Sequence, residues 1–388
     1  MIFITIIIFL LLYLFVKRYE SCDDYYDEYY DECWEDNQSS KSKLGIFCIC
    51  ILIFLSGFRH LGVGVDTAYY VYSLKESSNT PFSEILSTFY NGYFSATNET
   101  KDPGFSILEK IFSLFTTNST VYLLCIGTTF LVFLRKFFTK YTSSSWELCF
   151  AFIVYLTLFF GYLPNAAIRQ SIALIFLLYV YTNFHEQNRI KSILLIIIGS
   201  IMHQSILAGL IIILFPLIRN VKLYYIVCGI LYGCMFVIGN VFATYITSFS
   251  DVYSAYAMSD YYSDGNAKPY NFVIFMFIIY MIGLVFINDE DHLSQNSFLY
   301  KLLGIAMVLT PLILIQPNFQ RFTAIFAIGI CVFLPKCLTL FSPFIRRLAY
   351  TLLILVFMYM TYNSQYKFNW EEMELHDRYL FIDINTTN

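Results

Sequence analysis

Short polar clusters interrupt an otherwise strongly apolar chain, and they hold residue types that bind anions or move protons. The first is Phe58-Arg59-His60-Leu61-Gly62-Val63-Gly64-Val65-Asp66-Thr67, where Asp66 follows Arg59 by seven residues and stands beside Tyr69 and Tyr70. A carboxylate near a guanidinium and aromatic faces suits a sugar, and the two glycines permit tight turns or close approach of a ligand. The bland alternative is an Arg59 that anchors a helix end in the interface. Arg169 lies in Asn165-Ala166-Ala167-Ile168-Arg169-Gln170-Ser171, after Pro164 and at the opening of an apolar helix. An Arg there costs several kcal/mol unless it is paired or faces water, which makes it a functional candidate by default. Its position at a helix start favours an anion; its structural alternative is an ion pair with Asp66 or Asp102. His203, Gln204 and Ser205 break another apolar run, and Arg321 begins a further one in Gln316-Pro317-Asn318-Phe319-Gln320-Arg321-Phe322. His203 is either a satisfied structural histidine, or a general base or hydrogen-bond donor to phosphate. Arg321 alone would read as an interfacial anchor.

The elements that must position these groups are membrane helices. Of 388 residues 58% are hydrophobic and 13% charged, with a mean hydropathy of +0.61, which fits a polytopic membrane protein and no soluble domain. The net charge of −4 is misleading, because nine of the 28 acidic residues fall between Tyr19 and Ser40 without one Lys or Arg. That segment reads as a solvated loop, and no basic stripe suggests a nucleic acid. The ten Cys include no CxxC and no Cys/His cluster at zinc spacing, so neither a metal nor a cofactor is expected.

With roughly 20 apolar residues needed per crossing, candidate spans are residues 1–16, 44–58, 119–134, 146–163, 166–184, 223–243, 271–287, 298–315, 322–341 and 348–362. Residues 192–218 form either one long helix or a hairpin that turns near His203. Lys17, Arg18, Lys41, Lys43, Arg135, Lys136, Lys140, Arg189, Lys191, Arg346 and Arg347 all fall on the cytoplasmic side of one self-consistent topology. Arg219 and Lys222 join them only if 192–218 is a hairpin. The expectation is therefore an all-α fold of about 11–12 transmembrane helices in one domain, with both termini outside in the twelve-pass form. Residues 19–43 are an acidic cytoplasmic loop, 59–118 an external loop, 244–270 an external Tyr-rich loop and 363–388 a tail. Within the first external loop, Gly104 to Phe115 is amphipathic and too short to span, so it is expected in the interface. This topology sends Arg59, Asp66, Asp102, Arg169, His203, Gln204 and Arg321 to the outer face, where basic residues are least expected. The economical ligand is anionic and phosphate-bearing, held by bidentate Arg contacts.

These clusters together resemble the EpsG family of Wzy-like polysaccharide polymerases of bacteria, over about Gly57 to Phe341. Phe58-Arg59 followed by Gly64-Val65-Asp66-Thr67 and Tyr69/Tyr70 is similar to the family's R, G-T-D, Y signature. Asp102-Pro103-Gly104-Phe105 is like its E-P-G-F, and Ile168-Arg169-Gln170-Ser171-Ile172-Ala173 like its L-R-Q-x-I-A. Met202-His203-Gln204-Ser205 is like its F-H-x-S, and Arg321-Phe322 like its late R-F. Val65 in place of Thr, Asp102 in place of Glu and Ile325 in place of Tyr are departures. The resemblance implies a metal-independent polymerase in the bacterial cytoplasmic membrane. It would join repeat units carried on undecaprenyl diphosphate into exopolysaccharide, capsule or O-antigen at the outer face. Arg59, Arg169, Gln170, Arg321, Asp102, Gln204 and Tyr69 would bind substrate; Arg169 would also be catalytic, with Asp66 or His203 as base. Membrane lipid and other polysaccharide-assembly proteins are the expected partners. A lipid-linked glycan transporter, or a ligase or acyltransferase on the same carrier, is the alternative.

Overall fold

The computed structural model describes residues 7–8, 11–12, 14, 32–59, 61–64, 66–94, 102–186, 188–247 and 269–362. Among the described residues all regular structure is helical, as expected for a polytopic membrane protein. In chain order the helices are α1 (Glu32–Gly57), α2 (Thr67–Asn79), α3 (Phe82–Phe94), α4 (Pro103–Ser113), α5 (Ser119–Tyr141), α6 (Ser145–Leu158) and α7 (Ile168–Thr182). They continue with α8 (Arg189–Met202), a 3-10 segment (Gln204–Leu217), α9 (Val221–Thr247), α10 (Tyr270–Phe286) and α11 (Glu290–Leu309). A 3-10 turn (Thr310–Leu314) leads to α12 (Gln320–Ala327), α13 (Ile330–Thr339) and α14 (Pro343–Tyr362).

Several boundaries differ from those the apolar runs suggest. The helix expected over 44–58 begins at Glu32, inside the stretch read as an acidic loop. The segment 59–118, expected as a loop with one helix, holds two further helices, α2 and α3, before α4. Residues 192–218 break at His203, whose backbone is extended, and α8 packs along the 3-10 segment as a hairpin. Among the described residues four helices are long and apolar enough to cross a membrane: Ser119–Tyr141, Val221–Tyr245, Glu290–Leu314 and Pro343–Met360. The run 322–341 is instead α12 and α13, bent by 42°. Other spans are shorter apolar helices: Ser145–Leu158, Ile168–Thr182, Gln204–Leu217 and Tyr270–Phe286. Most of the span 1–16, the acidic residues before Glu32, the Tyr-rich stretch 248–268 and the tail 363–388 lie outside the described residues.

The core lies between α5, α6, α7, α11, α12 and α13, where Phe130, Phe137, Phe152, Leu177, Phe298, Ile325 and Phe333 are almost wholly buried. Apolar side chains on α9 and α14, such as Val237, Val241 and Leu355, are exposed, as in a protein whose solvent there is lipid. Buried tyrosines tie helix to helix through backbone carbonyls: Tyr141 Oη donates to Tyr181 O (2.8 Å) and Tyr181 Oη to Ile325 O (2.9 Å). In a medium without water each hydroxyl needs such an acceptor.

Charge separates along the helices. At the C-terminal ends of α5 and α7 lie Lys140 with Glu186 (2.7 Å), and Lys41, which donates to Thr139 O and Thr142 O. Arg169 stands at the other end of α7, close to α2 and α4. Lys41 and Lys140, two of the basic residues assigned inside by the topology, are thus a helix length away from Arg169.

Candidate functional site

Each polar cluster sits at a helix terminus, because the sequence breaks its helices there. Asp66 is the N-cap of α2 and Asp102 that of α4; Arg169 and Gln170 lie in the first turn of α7, and Arg321 in that of α12. His203 joins α8 to the 3-10 segment. Close backbone approach holds these ends together. Gly64 has φ +86° and lies against the Asn165 carbonyl, while a Cβ on Gly104 would come within 2.5 Å of Ile201 O. Only glycine fits both places.

Arg169 is the centre. Its Nε donates to Tyr70 Oη (3.2 Å), and its guanidinium carbon lies 5.2 Å from the Tyr70 ring and 5.9 Å from those of Tyr69 and Phe105. These aromatic faces attract the cation and keep it desolvated. Nη1 lies 3.8 Å from Asp102 Oδ2, so the ion pair weighed as Arg169's structural alternative is present. Asp102 is 2% exposed and left-handed (φ 53°), a conformation costly for a residue with a Cβ. Its Oδ1 accepts from the backbone N–H of Gln204 (3.2 Å), and Oδ2 lies 3.9 Å from His203 Nε2. On the other side of the His203 ring, Nδ1 faces the Ser205 N–H (3.2 Å) and Oγ (2.8 Å).

Gln170 extends the site to α12. Its Nε2 donates to Arg321 O (2.6 Å), its Oε1 accepts from Tyr162 Oη (2.6 Å), and the Arg321 side chain hydrogen-bonds Tyr162. Asp66 is half-buried, its carboxylate does not cap α2, and Tyr70 and Tyr162 lie within electrostatic range of both Asp66 and Arg321. Arg59 is buried, with Nη1 donating to Ser56 O and Oγ and Nη2 to Asn165 O (3.2 Å) and Thr67 Oγ1 (3.4 Å). It thereby fastens α1, α2 and the turn before α7 to one another. Tyr69 is exposed at the edge of the Arg169 cluster, and the Gln204 side chain is exposed too.

Sequence reasoning missed Tyr162 and Glu109 and gave Tyr70 no role of its own. Thr67, Tyr70, Leu74 and Ser77 recur at helical spacing as the buried face of α2, a pattern that singles out Tyr70 over Tyr69. Glu109 lies on the polar side of α4, which faces protein. Its carboxylate accepts from Ser73 Oγ (2.7 Å) and Tyr122 Oη (3.2 Å), and the next residue, Lys110, donates to Ser77 O (2.9 Å) at the end of α2. Burial pushes the Glu109 carboxyl up to about 7, against the Ser73 and Tyr122 hydrogen bonds and the Arg169 charge. The folded protein therefore holds this proton more tightly than the unfolded chain, whose glutamates titrate near ~4.3. The stability it contributes is complete below pH ~4.3 and is lost as pH rises through about 7. Thermal unfolding in detergent should show wild type losing stability relative to Glu109→Gln over that window, with a constant difference outside it. A constant difference at every pH would contradict this ionisation behaviour.

Among the described residues no group of three or more His, Cys, Asp or Glu is arranged to hold a metal ion. Fold and site together define a helical, multi-pass membrane protein whose arginine-centred polar site is built from helix ends. Its family follows from comparison of the chain: the EpsG family model matches residues 42–373, and the protein belongs to the EpsG family. Membership points to a Wzy-like polysaccharide polymerase. Neither a curated protein nor a solved structure matches the chain.

Proposed function

We propose that the protein joins lipid-linked oligosaccharide repeat units into a polysaccharide at the outer face of the bacterial cytoplasmic membrane. Undecaprenyl diphosphate is the carrier, and the growing glycan passes from one carrier to the non-reducing end of a unit on another. The observation that carries this reading is Arg169, caged by Tyr69, Tyr70 and Phe105 beside Asp102 and His203, and linked through Gln170 and Tyr162 to Arg321. Two guanidinium groups from adjacent helices suit a diphosphate, and negative charge grows there as the lipid diphosphate leaves. Donors already in place at such a point are worth several kcal/mol to the transition state. Tyr69 offers an exposed ring to a saccharide, while Asp66 and His203 are the groups that the sequence offers as proton acceptor. Arg59, with its bonds to Asn165 O and Thr67, holds the walls of the site. The concentration of these groups at one end of the helices favours chemistry at a membrane face over transport through the midplane.

Purified protein incubated in detergent with an undecaprenyl-diphosphate-linked repeat unit from its host should yield a ladder of products, and EDTA should leave it intact. A transporter needs two compartments and gives no ladder in detergent. EDTA sensitivity would overturn the metal-independent part of the reading, and the absence of a ladder from folded protein and authentic substrate would overturn the reaction.

A further inference from the structure

The Asp102–His203–Arg169 cluster distinguishes between proton acceptor and proton donor in the site. A backbone N–H can only donate, so the contact from Ser205 N requires His203 Nδ1 to accept. The neutral ring then carries its proton on Nε2, the nitrogen 3.9 Å from Asp102 Oδ2. In that state Nε2 has no lone pair to offer and the lone pair of Nδ1 is engaged. His203 donates toward the site and does not accept from it.

Asp102 has the complementary character. It is 2% exposed, and its Oδ2 is a buried oxygen with no hydrogen-bond partner among the described residues, whereas Oδ1 takes the Gln204 N–H. A buried carboxylate oxygen left so is costly unless a donor arrives with the ligand. Two donors face Oδ2 at separations too long for a hydrogen bond, Arg169 Nη1 at 3.8 Å and His203 Nε2 at 3.9 Å. One oxygen placed among the three atoms can donate to Oδ2 while accepting from Nε2–H or Nη1–H, which describes a hydroxyl group. The left-handed backbone of Asp102 fits the same role, since such strain is held where the surrounding structure needs the side chain.

Resting on the polymerase reading above, we infer that Asp102 is the general base that receives the acceptor sugar's hydroxyl proton, and that His203 positions this hydroxyl through Nε2–H. The hydroxyl oxygen forms a bond to the donor's anomeric carbon as its proton passes to Asp102 Oδ2. The bond from that carbon to the lipid diphosphate breaks, and its electron pair leaves on the diphosphate beside Arg169.

Steady-state polymerisation by Asp102→Asn should show kcat reduced about 10²–10⁴-fold, the range for loss of a general base, with KM little changed. Asp102→Glu, which keeps the carboxylate, should recover part of this. Nitrogen-15 spectra of histidine-labelled protein, assigned with His203→Gln, should show His203 protonated on Nε2. This measurement stands whether or not Asp102→Asn folds. Wild-type kcat in Asp102→Asn would overturn the base assignment and leave the polymerase reading standing. His203 protonated on Nδ1 would overturn the donor assignment. A wild-type protein that makes no ladder would overturn the polymerase reading itself.

Discussion

Arg169→Ala should abolish chain growth: product length on a gel should collapse to the single repeat unit, with a rate loss of at least about 10²–10³-fold, the usual cost of one preorganised charge donor. The side chain does three things at once. It donates to Tyr70, lies over three aromatic rings and faces Asp102 Oδ2. Truncation leaves Asp102, buried and left-handed, without its cation, and removes the counter-charge from the start of α7. Arg169→Lys should recover only a part, because an ammonium keeps the charge without the planar fork that reaches Tyr70 and Asp102 together. Membrane levels of both variants, measured beside the gel, separate lost chemistry from lost protein. Wild-type product length from Arg169→Ala at normal protein level would remove the arginine from the reaction.

That arginine was legible in the sequence for a physical reason. In a chain of 58% hydrophobic residues a charge within an apolar run stands out, and burying it requires a partner. Arg169, His203 and Arg321 stand out in this way, Asp102 through its likeness to the family's E-P-G-F, and the structure brings them into one network by direct contacts or through Gln170 and Tyr162. What stayed hidden lies in segments of mixed polarity. The α2 sequence TAYYVYSLKESSN has neither the length nor the apolar content of a span, and only its buried face, with Tyr70 and Leu74, reveals a helix. Glu109 and Lys110 read as the watery side of an amphipathic helix. In the structure that side is turned inward, and Ile111, Leu114 and Phe115 are exposed in its place. Tyrosine was ambiguous throughout, because an interfacial belt and an internal tether share one composition. Tyr141 and Tyr181 are tethers, each reaching a carbonyl on a neighbouring helix. The shortened helices have a related origin. Hydropathy measures apolar runs and does not see every break within them: the run 146–163 yields a helix that ends at Leu158, and the run 322–341 is bent by 42° between α12 and α13.

Those breaks depend on close backbone approach, and Gly64→Ala should therefore be damaging despite adding one methyl group. Gly64 has φ +86°, where a Cβ costs about 1–2 kcal/mol by itself. The added carbon would also overlap the Asn165 carbonyl, which has little freedom to retreat because it accepts from Arg59 Nη2 (3.2 Å) and Thr67 Oγ1 (2.9 Å). Relief must come from moving the Arg59 loop away from the turn before α7, and that displaces Asp66 and Tyr70 from Arg169 and Gln170. A shift near 1 Å in such an assembly can cost about 10²-fold in rate, so Gly64→Ala should lose polymerisation to that extent while remaining in the membrane. Gly161→Ala is the matched control, since a Cβ there has nothing within 4 Å and should leave activity and unfolding temperature unchanged. Equal behaviour of the two variants would mean that the packing of Gly64 on Asn165 does not position the site. Loss confined to Gly64→Ala would make the glycine, which touches no substrate in this reading, as necessary as the arginines it aligns.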